Sequence, residues 1–258
     1  MTLIILTIIL ISLIFAPLGC ISLWKKYVYF GDGLSHASLL AGSISVIINL
    51  PIIYAGFVVA MIFAILVFML KNHSGNGAIV ILASSFMLSA ALILSYMNPL
   101  QINITNLLFG DILSTTLEDV LTLSIILILV ISFVGYFYNQ IILIIVNRDI
   151  AQIKGIKVKT IELVFLLILS LSVFSTIKIV GALLVTSILL IPTMTARIIS
   201  SAPTQMIINS AIIALLANFL GLTISFYLDI PVTPIITIIN TIAFVLAYLI
   251  SWAKKLTL

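Results

Sequence analysis

Charged residues are scarce in this chain. Only 7% of its 258 residues are Asp, Glu, Lys or Arg, whereas a soluble domain carries about 25%. Hydrophobic residues make up 64%, and the mean hydropathy is +1.45. This composition excludes a soluble catalytic domain and predicts an all-α, polytopic membrane protein embedded in a lipid bilayer. Each span needs about 20 apolar residues, which leaves room for roughly nine spans and little else.

Cysteine and histidine are also nearly absent. The single cysteine, Cys20, lies in an apolar run, which excludes an intrachain disulfide and a cysteine metal cluster. The only histidines are His36 and His73, so an all-histidine metal site is excluded as well. His73 falls in a polar turn and is interpreted as a solvated loop residue. The net charge of +4 is carried at loop ends, as the positive-inside rule predicts, and indicates no nucleic-acid binding.

Nine apolar stretches are candidates for spans, and basic residues between them predict an outer amino terminus and an inner carboxyl terminus. The seventh is short and contains Gly181 and Pro192. It either spans or only dips into the membrane, so the expected count is eight or nine. Between the fourth and fifth stretches, an apolar run at 104–113 predicts a surface or re-entrant helix. The stretches cover about residues 3–23, 33–50, 52–70, 78–97, 120–138, 161–177, 179–195, 206–227 and 233–252.

Asp32 and His36 stand at the start of the second span, in the stretch GDGLSHASLLAG at 31–42. They are four residues apart, so a helix places both on one face, one turn apart. Ionisable groups inside a membrane tend to mark an ion path, and a carboxylate beside an imidazole suits zinc or manganese. At about 1.5 Å per residue, His36 lies near the middle of the hydrocarbon layer. The alternative interpretation is a polar helix start with Asp32 as N-cap.

The stretch 180–197 combines small residues, hydroxyls and a proline. Pro192 can end one helix and open another, which predicts a short amphipathic helix over about 192–202 at the cytoplasmic face. It is interpreted either as the exposed end of a kinked span or as a docking site for a cytosolic partner. On the outer side, Asp111 and Asp229 are interpreted as solvated loop acids or as receivers of incoming cations.

Five motifs follow one another along the chain: GDGLSHA at 31–37, FGDI at 109–112, Asp-x-Ala-x-x-x-Gly-Ile at 149–156, the stretch 180–197, and Asp-x-Pro-x-x-Pro at 229–234. In this order and over almost the whole chain, they resemble the permease subunits of bacterial zinc and manganese ABC importers. Thr233 stands where that family has a glycine, so the local turn there is expected to differ.

The resemblance implies one transmembrane permease domain over residues 1–258, in the cytoplasmic (inner) membrane of a bacterium. It implies a homodimer served by two cytosolic ATP-binding subunits and by an extracytoplasmic metal-binding protein. It implies that Asp32 and His36 are metal ligands, and that water, backbone carbonyls or the second copy complete the coordination of the metal. The helix over 192–202 becomes a coupling helix seated on the ATPase, with Pro192, Thr193, Thr195, Ala196 and Arg197 as the coupling residues.

The sequence is compatible with more than one cargo and more than one class of membrane protein. The cargo is expected to be zinc, with manganese or iron as the alternative, because carboxylate and imidazole serve more than one of these metals. The permease is expected to be no enzyme and to hold no permanent cofactor. A cation carrier without an ATPase is disfavoured because the two halves share no broken helices or motif. An intramembrane enzyme would need a second catalytic cluster, which the sequence does not contain.

Overall fold

A computed structural model describes residues 1–70, 76–97 and 110–256. All regular elements in these ranges are helical, which confirms the all-α prediction. His73 and residues 104–109 of the predicted outer helix lie outside the described residues, and Ile112–Ser114 forms a 3₁₀ turn. The α-helices are α1 (Thr2–Trp24), α2 (Phe30–Ile48), α3 (Ile52–Leu70), α4 (Asn76–Met97), α5 (Leu117–Val146), α6 (Arg148–Ile153), α7 (Val158–Val180), α8 (Val185–Ile199), α9 (Pro203–Leu228) and α10 (Val232–Leu256).

Seven of the described helices are long and apolar enough to cross a membrane: α1, α2, α3, α5, α7, α9 and α10. Two shorter apolar segments, Ala78–Leu94 within α4 and Val185–Ile199, account for the other two predicted stretches. The polytopic prediction is therefore confirmed. The short helix at the seventh stretch is shifted relative to the predicted 179–195, because α7 continues to Val180 and α8 covers Val185–Ile199.

Helix α5 is longer than the predicted span 120–138. Its start is set by a capping box, in which the Thr116 hydroxyl accepts a bond from the Asp119 N–H and the Asp119 carboxylate accepts one from the Thr116 N–H. Such a box satisfies two helix-end donors at once. At the other end, the apolar run continues past Tyr138 and the helix stops only at Asn147, which caps α6.

The structure differs from the sequence prediction at Pro192. We expected this proline to open a new helix, but α8 runs without a break from Val185 to Ile199 with Pro192 inside it. Pro192 is buried, and the hydroxyls of Thr193 and Thr195 donate to the carbonyls of Leu190 and Ile191. Packing on the buried face of α8 therefore overrides the intrinsic cost of an internal proline. The predicted helix 192–202 is the second half of α8 followed by a three-residue connection to α9.

Helix α1 is the centre of the bundle. Its spanning window is 72% buried, against 11% for α10 at the periphery, and α5, α8 and α9 all pack on it. Inside the apolar layer, the Asn218 amide of α9 donates to the Ser12 hydroxyl at 2.8 Å, and Ser12 donates to the Ile8 carbonyl. Helices α2, α3 and α4 form a second group that packs on α7.

The carboxyl end of α1 is held by a group of charges. The Lys25 ammonium lies 2.7 Å from the buried Glu162 carboxylate of α7, and the Arg148 guanidinium lies 3.4 Å from its other oxygen. Burial, together with the Glu162 carboxylate, raises the pKa of the neighbouring Tyr27 phenol. These contacts tie the 25–29 turn to α7 directly below the start of α2 and neutralise a carboxylate that would be costly to bury alone.

The close approach of α1 and α8 gives a stability prediction. A Cβ atom on Gly19 would overlap the Leu189 carbonyl oxygen and lie 2.6 Å from Thr193 Cγ2. Gly19→Ala should therefore lower the melting temperature, because overpacking costs about 1–3 kcal/mol. The matched control is Gly135→Ala on α5, where a Cβ would meet nothing within 4 Å. That change should be neutral or slightly stabilising, since alanine favours a helix by about 0.5–1 kcal/mol. Equal melting temperatures for the two variants would contradict the packing described.

Candidate functional site

Asp32 and His36 lie on one face of α2, as their spacing predicts. Both side chains are exposed in the single chain, whereas the intervening Gly33, Leu34 and Ser35 are buried. Tyr29, which is 56% exposed, precedes them at the start of the helix. The polar edge of α2 is therefore open, and its apolar edge is packed into the bundle.

Small residues allow this end of α2 to enter between two other helices. A Cβ on Gly31 would lie 2.6 Å from the Thr186 hydroxyl of α8, and one on Gly33 would lie 2.5 Å from a methyl of Val80 in α4. Larger residues at these two positions would push α2 outward. Asp32 lies between the two glycines, so its position depends on both helix contacts.

The open face of α2 borders a small cavity shared with α4. The cavity has a volume of about 200 Å³ and contains the polar groups of Asp32 and His36 with two serines from α4; its lining is Tyr29, Asp32, Gly33, His36, Val80, Ile81, Ser84, Ser85 and Leu88. Among the described residues, no three His, Cys, Asp or Glu side chains lie close enough together to hold a metal ion. One chain thus offers one carboxylate and one imidazole here, whereas a protein zinc site usually has three or four protein ligands.

Asp111 and Asp229 were identified separately from the sequence, and the structure brings them to one cavity. Its volume is about 550 Å³, and it lies where the 110–114 turn meets the α9–α10 connection. Asp111 also caps the 3₁₀ turn by accepting the Leu113 N–H at 2.9 Å. Asp229 ends α9 in the left-handed region, with φ of 56°. Both side chains are exposed, so each has oxygen atoms available to an incoming cation.

The contact between Lys178 and Asp119 was not predicted from the sequence. The Lys178 ammonium of α7 lies 2.9 and 3.0 Å from the two oxygens of the buried Asp119 carboxylate, and the Asp111 N–H donates to the Lys178 carbonyl at 3.1 Å. Gly110 lies against the backbone of Gly181 beyond the end of α7. These contacts fix the 110–119 segment on α7 beside the cavity that Asp111 and Asp229 border. A lysine at the outer end of a span, against the positive-inside rule, was the sequence signal for a partner.

The predicted coupling residues do not share one exposed surface. Pro192, Thr193, Thr195 and Ala196 are buried in the chain, and only Arg197 is exposed. The accessible part of this region is the end of α8 with the connection to α9. A second exposed cytoplasmic element is α6, where Ile150 and Ile153 are 45% and 85% exposed.

The chain is similar to known proteins over most of its length. The family model described as the ABC 3 transport family matches residues 1–251. The chain is 35% identical to the high-affinity zinc uptake system membrane protein ZnuB of Buchnera aphidicola subsp. Acyrthosiphon pisum, over 90% of both chains. It is 31% identical to ZnuB of Haemophilus influenzae, over 94% of both. It is 25% identical to the manganese import system permease protein ScaB of Streptococcus parasanguinis, over 95% of this chain and 88% of that one.

A solved structure shares the fold. PsaBC from Streptococcus pneumoniae in complex with Fab superposes with a TM-score of 0.82 at 21% identity, covering 95% of this chain and 89% of the other. The arrangement of helices described above is thus one that an experimental structure also shows.

Proposed function

The chain belongs to the ABC 3 transport family, and we propose that it carries zinc into the cytoplasm through a site built on Asp32 and His36. It is a multi-pass inner-membrane permease of a metal ABC importer; ATP is hydrolysed by a separate ATPase chain. Zinc is favoured because the relatives that are 31% identical or more are named zinc uptake proteins. Manganese is the second candidate, supported by the 25% identity to ScaB.

The proposed metal ligands are the Asp32 carboxylate and the His36 imidazole. The carboxylate replaces part of the ion's hydration and its charge offsets the cost of moving a divalent cation into an apolar layer. Each chain supplies only two of the three or four protein ligands that a zinc site usually has. A second copy of the chain facing the same open edge of α2 would bring two more ligands. The exposure of both side chains in the single chain supports this arrangement.

Helix α8 offers a direct mechanical connection from the ATPase to this site. Its cytoplasmic end carries the exposed Arg197, and its other end places Thr186 against Gly31, next to Asp32. Because α8 is one unbroken helix, a displacement of its inner end reaches the α2 contact. The buried coupling residues Pro192, Thr193, Thr195 and Ala196 then hold α8 against its neighbours, and Arg197 is the one expected to contact the ATPase.

The central test is metal uptake by cells that express this chain with its ATPase and its binding protein. We expect ATP-dependent uptake of zinc, and Asp32→Asn or His36→Ala should reduce it to background because half the ligands are lost. The amount of permease in the membrane should be unchanged, since both side chains are exposed. Glu118→Gln, an outer exposed acid that borders neither cavity, serves as the charge-matched control and should transport normally.

Three outcomes would contradict the proposal. Normal uptake by a stably inserted Asp32→Asn/His36→Ala double variant would remove the site. Uptake of manganese but not zinc would keep the mechanism and change the cargo. Uptake that follows the membrane potential and persists with an inactive ATPase would indicate an independent cation carrier.

We propose that the cavity bordered by Asp111 and Asp229, here called the outer cavity, receives the metal before it reaches α2. Two carboxylates at one opening raise the local cation concentration, so Asp111→Asn/Asp229→Asn should increase the zinc concentration for half-maximal uptake several-fold. The maximal rate should change little, because neither residue lies at the α2 site. Transport rates measured over a zinc titration at low ionic strength check this. Glu118→Gln is again the control, and an equal effect of that variant would mean that general surface charge is responsible.

The coupling proposal predicts a separation of ATP hydrolysis from transport. Arg197→Glu should lower zinc-dependent stimulation of the ATPase and abolish uptake, while basal hydrolysis by the ATPase continues. Lys159→Glu makes the same charge reversal at another exposed cytoplasmic site and should have little effect. If Ile153→Ser uncouples the complex and Arg197→Glu does not, the ATPase docks on α6 and the α8 proposal is wrong.

A further inference from the structure

A groove of about 400 Å³ lies between α5 and α7 at the cytoplasmic side, away from both sites discussed above. Its lining combines two lysines and small polar groups with apolar side chains: Phe137, Gln140, Lys154, Gly155, Ile156, Lys157, Thr160, Ile161 and Val164. The proposed transport function uses none of these residues.

The cytoplasmic end of the groove is positively charged. Lys154 and Lys157 are both exposed, on either side of Gly155, which turns the chain with φ of 76°. The Thr160 hydroxyl and the Gln140 amide add hydrogen-bond donors. The groove also lies at the amino end of α7, whose partial positive charge adds to that of the lysines.

Among the described residues that line the groove, none is acidic. Glu162, the acidic residue of α7, is buried and accepts bonds from Lys25 and Arg148 instead. Asp149 on α6 is exposed and is not part of the lining.

The other end of the groove is apolar and lies within the membrane layer. Val164 is six residues into α7, which at 1.5 Å per residue is about 9 Å beyond its first residue, and Phe137 faces the same groove from α5. Only 28% of the spanning window of α5 is buried in the single chain, so most of the surface of this helix is open beside the groove. A molecule that fits must therefore carry an anionic group at the membrane surface and a chain directed into the hydrocarbon.

From this arrangement we infer that the groove binds an anionic phospholipid, with its phosphate at Lys154 and Lys157 and an acyl chain against Phe137 and Val164. Basic grooves between spanning helices on the cytoplasmic side are suited to such headgroups. A soluble phosphate would use the lysines but would leave the apolar end empty. The lipid also joins α5 to α7 beside the Glu162 contacts, so it is expected to stabilise the cytoplasmic half of the bundle.

Native mass spectrometry of the assembled permease–ATPase complex tests the inference. The complex is titrated in detergent with dioleoyl phosphatidylglycerol or with dioleoyl phosphatidylcholine, which has the same chains and no net charge. We expect preferential binding of phosphatidylglycerol and a higher melting temperature in its presence. Lys154→Gln/Lys157→Gln should weaken that binding about ten-fold or more, since each lysine near an anionic surface contributes appreciably.

Two further variants distinguish a specific site from general attraction. Lys159→Gln removes an adjacent exposed charge that does not line the groove, and it should bind phosphatidylglycerol like the unmodified protein. Val164→Trp keeps both lysines but fills the apolar end, and it should weaken lipid binding as well. Absence of a preference for phosphatidylglycerol, an equal loss with Lys159→Gln, or unchanged binding in both groove variants would each overturn the inference. Competition by inorganic phosphate together with normal binding to Val164→Trp would also overturn it, because a soluble anion would then be the ligand.

Discussion

The contact of α2 with α8 and α4 is the constraint on which the rest of the site depends. Gly31 and Gly33 let the start of α2 approach both helices, and this leaves Asp32 and His36 on an open edge of α2. An ionisable residue inside the bilayer is costly unless it meets a partner, water or an ion. The bundle keeps these two side chains at such an edge and buries the apolar side of the same helix. The same two glycines therefore set both the packing of α2 and the position of the proposed metal ligands.

The distribution of charge gives the permease a direction. The outer cavity carries Asp111 and Asp229, whereas the cytoplasmic side carries Lys154, Lys157 and Arg197. This distribution fits the proposed direction of transport, because a cation would be attracted at the first face and not held at the second. The charged groups that are buried, Asp119 and Glu162, are paired with lysines and serve the structure. Under the proposed mechanism, the energy of ATP hydrolysis by the separate ATPase is needed mainly to open the site in turn to each side.

The sequence predicted those features that depend on local composition or spacing. Long apolar runs predict spans because the bilayer demands them, and the separation of Asp32 from His36 predicts their shared face. Features that depend on tertiary packing were not predictable in this way. Pro192 favours a helix start locally, but the buried environment of α8 keeps one helix there. Likewise, nothing in the sequence shows that Asp111 and Asp229 border one cavity, or that Lys178 reaches Asp119, because these pairs are distant in the chain.

The hydrogen bond between Asn218 and Ser12 has a consequence for motion. Water is absent from the hydrocarbon layer, so neither group could exchange this bond for solvent while the helices slide, and separating them would cost about 1 kcal/mol or more. Helices α1 and α9 are therefore expected to behave as one rigid body throughout a transport cycle. By the same argument, the Ser43 hydroxyl of α2 joins α2 to α4, because it donates to the Ala91 carbonyl at 3.2 Å. Relative movement is then expected where Gly31 of α2 meets α8. In mechanical terms, α1 and α9 are expected to be the frame of the permease, and α2 with α4 the part that moves against it.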